Sequence, residues 1–439
     1  MELKEYKLGD IAEIITGVSY TPNDITTSGI RILRGGNIQA ETVLLKDDDV
    51  FLPMSYANNN QLKKYDTIIV SSTGSVDALA KGATIFEDLP NTQIGVFLRI
   101  IRPKEEKYAM IISMWCTSPF FRQYMIKKAK GTSINNIRTD FLTDFPILIP
   151  EDNNLEHTSK LYLNLESKLL LNRQINQNLE ALARQLYDYW FVQFDFPDAN
   201  GKPYKSSGGK MVYNQILKRE IPEGWEVKSI KEIESNIITG KTPSTSEEDN
   251  FGGNIPLVTI DDIRKHMYIY ESERILSEKG ADSQSSKYLP KGSLSCSCIG
   301  TAGILGFIGT LAQTNQQINS IIFNKDYNRE LIYFALKWHF SHATAKMGNI
   351  LPNMSKDEFS RIPIVYPKID ILMKYHNLVK DWFCKIDNGV CTILSLTKQR
   401  DELLPLLMNG QVNFDLYANI HIFICISIKN ILPLQKIIL

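Results

Sequence analysis

Between residues 155 and 190 apolar side chains recur at Tyr162, Leu165 and Leu169, then at Ile175, Leu179, Leu182, Leu186 and Tyr189. Steps of three and four put them on one stripe of a helix, the seam that a partner helix fills. Asn172 falls on the same stripe, where a polar residue fixes register at some cost in stability. A second stripe carries Leu378, Trp382, Ile393, Leu396, Leu403 and Leu407. Gly389 is a weak point within it, and Pro405 falls near its end. A helix of about 36 residues spans about 54 Å. Elsewhere the apolar runs are short: "KKYDTIIVSSTGSVDALAKGATIF" reads as a strand, a small-residue turn and a second strand.

Each pattern occurs twice. Lys7, Ile11 and Ile15-Thr16-Gly17 stand near the beginning as Lys228, Ile233 and Ile238-Thr239-Gly240 stand later. Asp66-Thr67-Ile68-Ile69-Val70 matches Gly292-Ser293-Leu294-Ser295-Cys296, and "NTQIGVFLRI" at 91 parallels "NQQINSIIF" at 315. "GTSINNIRTDFLTDFPILIP" parallels "GNILPNMSKDEFSRIPIVYP". A period of roughly 215–225 residues marks a duplicated domain and not a solenoid. Two seam helices at matching places favour pairing with each other. The expected order is a first mixed α/β domain at 1–153, a helix at 154–191 and a Gly/Pro/Ser/Lys-rich connector at 192–224. A second domain at 225–368, a second helix at 369–413 and an atypical tail at 414–439 complete it.

Composition adds limits. The chain has 439 residues, too many for one ordinary core. Its net charge is +0, and residues 1–150 hold 17 basic and 17 acidic side chains, so any DNA-binding surface there must come from arrangement. The six cysteines form no paired CxxC motifs, which favours a reducing cytoplasm over a disulfide framework or a zinc site. No apolar signal segment opens the chain. The apolar run near its other end is broken by His421, Lys429, Pro433 and Lys436, too interrupted to span a membrane.

Catalytic signatures are missing from the sequence: no GxxxxGK[ST] phosphate loop, HExxH, GxSxG or GxGxxG, and no Asn/Asp-Pro-Pro-aromatic tetrad of the amino-methyltransferases. His339 and His342 read as a surface pair with no third ligand, and Cys296 and Cys298 are weak nucleophile candidates. What recurs is polar turn chemistry. Ser72, Thr73, Asn91, Gln93, Lys128, Lys130, Thr132, Ser133, Asn135, Asn136 and Arg138 form one candidate set. Lys241, Thr242, Thr301, Asn315, Gln316, Lys346, Asn349, Asn353 and Lys356 form the other. Asn and Gln amides suit base edges, while hydroxyls, backbone N–H groups and lysines suit phosphates.

With "LGDIAEIITG", "LEALARQLYDYWFVQFDFP", "GKPYKSSGGKMVYNQILKREIPEGWE" and "RDELLPLLMNGQV" in this order, the chain resembles the specificity subunit of type I restriction–modification systems from residue 1 to about 414. The resemblance implies an α+β fold: two duplicated target-recognition domains held apart by two long antiparallel coiled-coil helices, with pseudo-twofold symmetry. Each domain would read one half of a split target in double-stranded DNA. The helices would dock two methyltransferase subunits, and restriction/translocase subunits would complete the enzyme in the cytoplasm. The subunit itself would be non-catalytic and hold no cofactor; S-adenosylmethionine, ATP and Mg²⁺ would sit on the partners. The segment after Phe414 departs from the family pattern. Two other classes stay open. A nuclease or methyltransferase with an unrecognised site would bind its cofactor, and a coiled-coil scaffold would show no DNA affinity even with methyltransferase subunits present.

Overall fold

The structure, a computed structural model, describes residues 2–39, 41–46, 48–58, 60–129, 136–347 and 353–412. Lys130, Thr132, Ser133, Asn135, Asn349 and the tail from 414 lie outside the described residues, as does the side chain of Lys346. The chain divides into two compact units, Met1–Leu169 with the chain from Leu396, and Leu170–Ser395.

In the first unit, strand Leu3–Lys7 pairs antiparallel with Pro146–Pro150, which brings the two ends of the first copy side by side. Its central sheet runs in the order Ala12–Thr16, Leu98–Pro103, Thr67–Val70 and Gly82–Thr84. A smaller sheet places Ile30–Leu33 between Val50–Leu52 and the parallel strand Thr92–Ile94. In the second unit, Glu226–Ser229 pairs with Pro363–Tyr366 in the same way. The central sheet there follows the order Ile237–Thr239, Ile318–Ile321, Leu294–Ser297 and Leu305–Ile308, with Tyr268–Ile269 added as a fifth strand. The smaller sheet sets Phe251–Val258 between Ile275–Leu276 and the parallel strand Gln313–Thr314. The duplication is thus carried by strand order and direction.

Strand register corrects three of the sequence matches. Ile100 pairs with Ile15 and Ile68, and Ser320 pairs with Ile238 and Ser295. Ile68 therefore corresponds to Ser295, one residue beyond the sequence match. Leu33 lies opposite Ile94, and Val258 opposite Thr314, so the counterpart of Asn315 is Gly95 and not Asn91. Lys7 opposite Pro146 answers to Ser229 opposite Pro363, so Lys228 answers to Tyr6. Short strands of alternating apolar residues tolerate such slips on paper, because a one-residue shift changes which face is buried without disturbing the apolar content.

Helices cover each sheet. Ala109–Cys116 is buried along its length, and the exposed end of Pro119–Ala129 carries Lys127 and Lys128. The second unit uses one helix, Arg329–Met347, whose Tyr333 and Phe334 pack edge-on against Phe383. Full burial of a large apolar side chain contributes about 1.5–3 kcal/mol, so these clusters fix where helix meets sheet.

The two long helices are Asp152–Tyr187 and Ile369–Met408. In the second unit Asn176 faces Gly389, and the Tyr375 hydroxyl donates to the Ala183 carbonyl at 3.4 Å, so the segments run antiparallel. A Cβ on Gly389 would lie 2.2 Å from Asn176 Oδ1, so the weak point of the sequence pattern is a place of close approach. In the first unit the Arg400 guanidinium meets Glu41 and Glu166, and Leu155 and Tyr162 share a core with Leu404 and Leu407.

The seam itself needs correction. Leu165, Leu169 and Ile393 are buried, and Asn172, Leu179, Leu186, Trp382, Leu396 and Leu403 are half-buried. Ile175 is exposed, however, and Leu182 and Leu378 are each 50 % exposed, while Ala183 and Val379 beside them are buried. One residue along a helix is a rotation of about 100°. Ala183 takes the buried position beside Leu182, Val379 the one beside Leu378, and Gly389 allows the close approach of Asn176.

Candidate nucleic-acid interface

The chain leaves the strand Ala12–Thr16 through Gly17, and its counterpart through Gly240. A Cβ would lie 2.1 Å from the Gly95 carbonyl oxygen at the first and 2.2 Å from the Asn315 carbonyl oxygen at the second. Only glycine permits this approach. The next amides then bind the neighbouring loop: Val18 N donates to Ile94 O at 2.8 Å, and Lys241 N to Thr314 O at 2.9 Å.

A third loop joins from the strand beyond. Ser71 N and Ser72 N donate to Phe97 O at 2.9 and 3.1 Å, as Cys298 N donates to Gln317 O at 2.8 Å. The fourth segment closes the group. Ile137 N donates to Ser71 O at 2.7 Å, and Met354 N to Cys298 O at 2.8 Å. Asn136 forms a bridge to Ser72, and its counterpart Asn353 accepts from Gly300 N at 3.1 Å. Four loops from distant parts of the sequence therefore meet at one end of each central sheet. They are 17–18, 71–74, 95–97 and 136–138 in the first copy, and 240–242, 298–303, 315–317 and 353–356 in the second.

Most of the described candidates fall here. Ser72, Thr73 and Asn136 are half-buried in the first group, and Arg138 is exposed. Thr242 Oγ1 donates to Gln316 Oε1 at 3.0 Å, beside exposed Lys241, Thr301, Asn353 and Lys356. Asn315 is half-buried and donates to Gln317 at 3.2 Å. Arg138 makes a two-pronged ion pair with Asp140 at 3.0 and 2.7 Å. An exposed pair is worth at most about 1 kcal/mol, so a phosphate can take the carboxylate's place. Lys128 is exposed at a helix end, over the Tyr124 ring.

Lys128 is outside the four loops, and two more candidates lie elsewhere. Gln93 is buried and donates to Tyr56 O at 3.3 Å, in the register position of buried Gln313. Asn91 is exposed but sits at the start of the strand Thr92–Ile94, away from the loop at its end; its φ of +50° makes it a turn residue. The loop that belongs to the site is Gly95-Val96-Phe97. Gln317 stands in the polar turn Asn315-Gln316-Gln317 that the sequence displays, whereas Val18, Val96, Phe97 and Ile299 were missed; "GVFLRI" reads as a continuous apolar strand and hides the tip at Val96 and Phe97.

The arrangement offers amides, hydroxyls, backbone N–H groups and flanking cations, which suits contact with base edges and phosphates. Among the described residues no group of three His, Cys, Asp or Glu could hold a metal ion, and no helix is long and apolar enough to cross a membrane. His342 stacks on Trp338, and His339 is half-buried. Cys296 and Cys298 are buried beneath the loops. Burial pushes the Cys296 thiol up, and a hydrogen bond from Cys296 lowers that of Cys298, but neither is presented to a substrate. A cavity of about 290 Å³ in the second unit, lined by Asp262, Lys265, His266, Tyr270 and Leu394 among others, includes none of the loop residues.

Residues 222–373 match the model of the type I restriction modification DNA specificity domain. The type I restriction enzyme HindI specificity subunit of Haemophilus influenzae is 27 % identical over 470 aligned positions, covering 93 % of this chain and 99 % of the relative. The MjaIX specificity subunit of Methanocaldococcus jannaschii is 24 % identical, covering 94 % and 89 %. In fold, the chain is similar to the crystal structure of a type I restriction–modification S subunit from M. genitalium, with a TM-score of 0.52 at 14 % identity, over 93 % of this chain and 96 % of the other. The specificity-domain match over 222–373 and the near full-length relatives agree on one likeness: the chain is similar to the specificity subunits of type I restriction–modification systems.

Proposed function

We propose that this chain supplies DNA sequence specificity to a type I restriction–modification complex, each copy reading one half of a bipartite target. The observation that carries the reading is the matched convergence of four loops in each copy, rich in amides, hydroxyls and backbone donors. Phosphate contacts would set register on the duplex, and contacts to base edges would select sequence. In this reading residues 1–153 and 225–368 are the two recognition domains. Ser72, Thr73, Asn136 and Arg138 act for the first half-site, and Lys241, Thr242, Thr301, Asn315, Gln316, Asn353 and Lys356 for the second.

The chain acts as a recognition subunit and not as the catalyst. Two methyltransferase subunits would dock on the long helices. Leu171, Ile175 and Leu182 form an exposed apolar stripe on the second-unit side, at steps of four and seven that keep them on one face of the helix. S-adenosylmethionine would be held by those subunits, and ATP with Mg²⁺ by restriction/translocase subunits. The assembled complex would methylate adenine at N6 and cleave unmodified DNA.

The test is co-expression with the cognate methyltransferase subunit, followed by genome-wide mapping of N6-methyladenine. A split motif methylated once on each strand is expected. A well-formed complex that methylates no defined motif would contradict the proposal.

A further inference from the structure

The two loop clusters share a backbone but differ in chemistry at three matched positions. Val18 answers to Lys241, Val96 to Gln316 and Phe97 to Gln317, by the hydrogen bonds that join the loops. The first copy is apolar where the second is polar. At a fourth pair the sense reverses, with Ser72 against Ile299. Phe97 stands out: its side chain is 64 % exposed at the loop tip.

The loop beneath it is held in place. The Phe97 carbonyl accepts from Ser71 N, Ser72 N and Ser71 Oγ. The Arg99 guanidinium donates to the Val96 and Leu98 carbonyls, each at 2.8 Å, on either side of the tip. An exposed aromatic ring on a braced loop gains nothing for the isolated chain, since its apolar surface stays in water. Its gain comes when a ligand removes that surface from water.

We infer that Phe97 contacts bases of the half-site read by the first copy, as an apolar reader in the place where the second copy uses the Gln317 amide. The inference rests on the DNA-reading function proposed above. A phenyl ring offers no hydrogen bond, so it cannot sort bases by donors and acceptors. It can contact the thymine C5-methyl group in the major groove, or wedge against a partly unstacked base step. Both are apolar base contacts, and the loop brings the ring to the end of the sheet where the amides and hydroxyls gather. The two halves of the target would then be selected by different chemistry.

The test uses the full chain in complex with its methyltransferase subunit. Phe97→Ala, Phe97→Gln and Gln317→Ala are compared with wild type by methylation mapping and by binding to duplexes carrying the mapped motif. Phe97→Ala should weaken cognate binding roughly ten-fold or more and relax one position in one half only, since a lost base contact acts locally. Gln317→Ala should act on the other half. Thermal midpoints should stay close to wild type, because the ring is exposed. Replacing single thymines of the affected half with deoxyuridine should weaken wild type and leave Phe97→Ala unmoved if the contact is to a methyl group. A 2-aminopurine probe that brightens with wild type and not with the variant would show a wedge instead. Unchanged specificity and affinity in Phe97→Ala would overturn the inference, and so would equal weakening of both halves. If wild type binds no specific duplex, the DNA-reading function itself fails, and this inference falls with it.

Discussion

The two central sheets have the same strand order and opposite tastes at the same places. In the first, Ile68 and Ile100 face each other in an aliphatic layer. In the second, the same register holds Ser295 and Ser320, whose hydroxyls lie 2.9 Å apart and buried. One position along the neighbouring strand, Thr84 of the first sheet is replaced by Phe307 of the second. Thr84 shares its hydroxyl with Thr67 and Ser113, while Phe307 stacks on Tyr268 and meets Tyr333 and Phe383. The backbone ladder fixes topology, and each copy satisfies its interior by hydrogen bonds or by apolar area as its own neighbours require. The same freedom operates at the loop ends, where matched frames present different side chains.

The largest effect should come from Phe307→Ala, which empties an aromatic cluster. A loss of about 3–5 kcal/mol is expected in the second unit, measured by denaturant unfolding. Thr84→Val at the matched site should cost less, about 1–3 kcal/mol, by removing the hydroxyl that Thr67 and Ser113 share. Equal losses at the two sites would break the comparison.

Among the described residues, the second central sheet adds the strand Tyr268–Ile269 as a fifth member where the first has four, and His266 precedes it. Burial, with smaller contributions from Arg173 and Lys265, lowers the imidazole pKa from its ordinary value to about 4. The unfolded chain therefore takes up this proton first as pH falls. The stabilisation is complete above about pH 6.5 and is lost progressively as pH falls toward 4, on the order of 3 kcal/mol in all. Thermal midpoints followed over that window should fall less steeply in His266→Gln than in wild type. Parallel curves would remove His266 from the account.

Ser295→Ala strands its buried partner and should cost about 1–3 kcal/mol. The double variant with Ser320→Ala should recover most of that loss, since two apolar groups leave no unpaired hydroxyl. A double variant as unstable as the sum of its parts would mean that the pair matters through packing alone. The smallest effect is expected at Leu182→Ser, within about 0.5 kcal/mol for the chain alone, because the side chain faces outward. Weakened assembly with the methyltransferase subunit would then locate the docking face.

The sequence was legible where pattern and physics coincide. Two seam helices, the duplication and the strand–turn–strand segments follow from apolar spacing, and the 136/353 match has the register that the structure shows. The helix seam was displaced by one position at 182 and 378: spacing favours the leucines, while the helices bury Ala183 and Val379 beside them. At the site, Asn136, Asn353, Thr242 and Gln316 were legible as polar turn residues. Gln93 was misread because an isolated polar residue in a strand gives no sign of burial. Phe97 was missed for the converse reason, since a phenylalanine in an apolar run reads as core and exposure is decided by loops more than 20 residues away in sequence.

The central claim is that each copy reads its own half of the target through its own loop cluster. The most direct measurement exchanges Gly95-Val96-Phe97 for Asn315-Gln316-Gln317 in the first copy, and maps N6-methyladenine made by the resulting complex. The account predicts that one half of the motif changes while the other half and the spacing between them stay as in wild type. A motif unchanged in both halves, or altered in both at once, would contradict it.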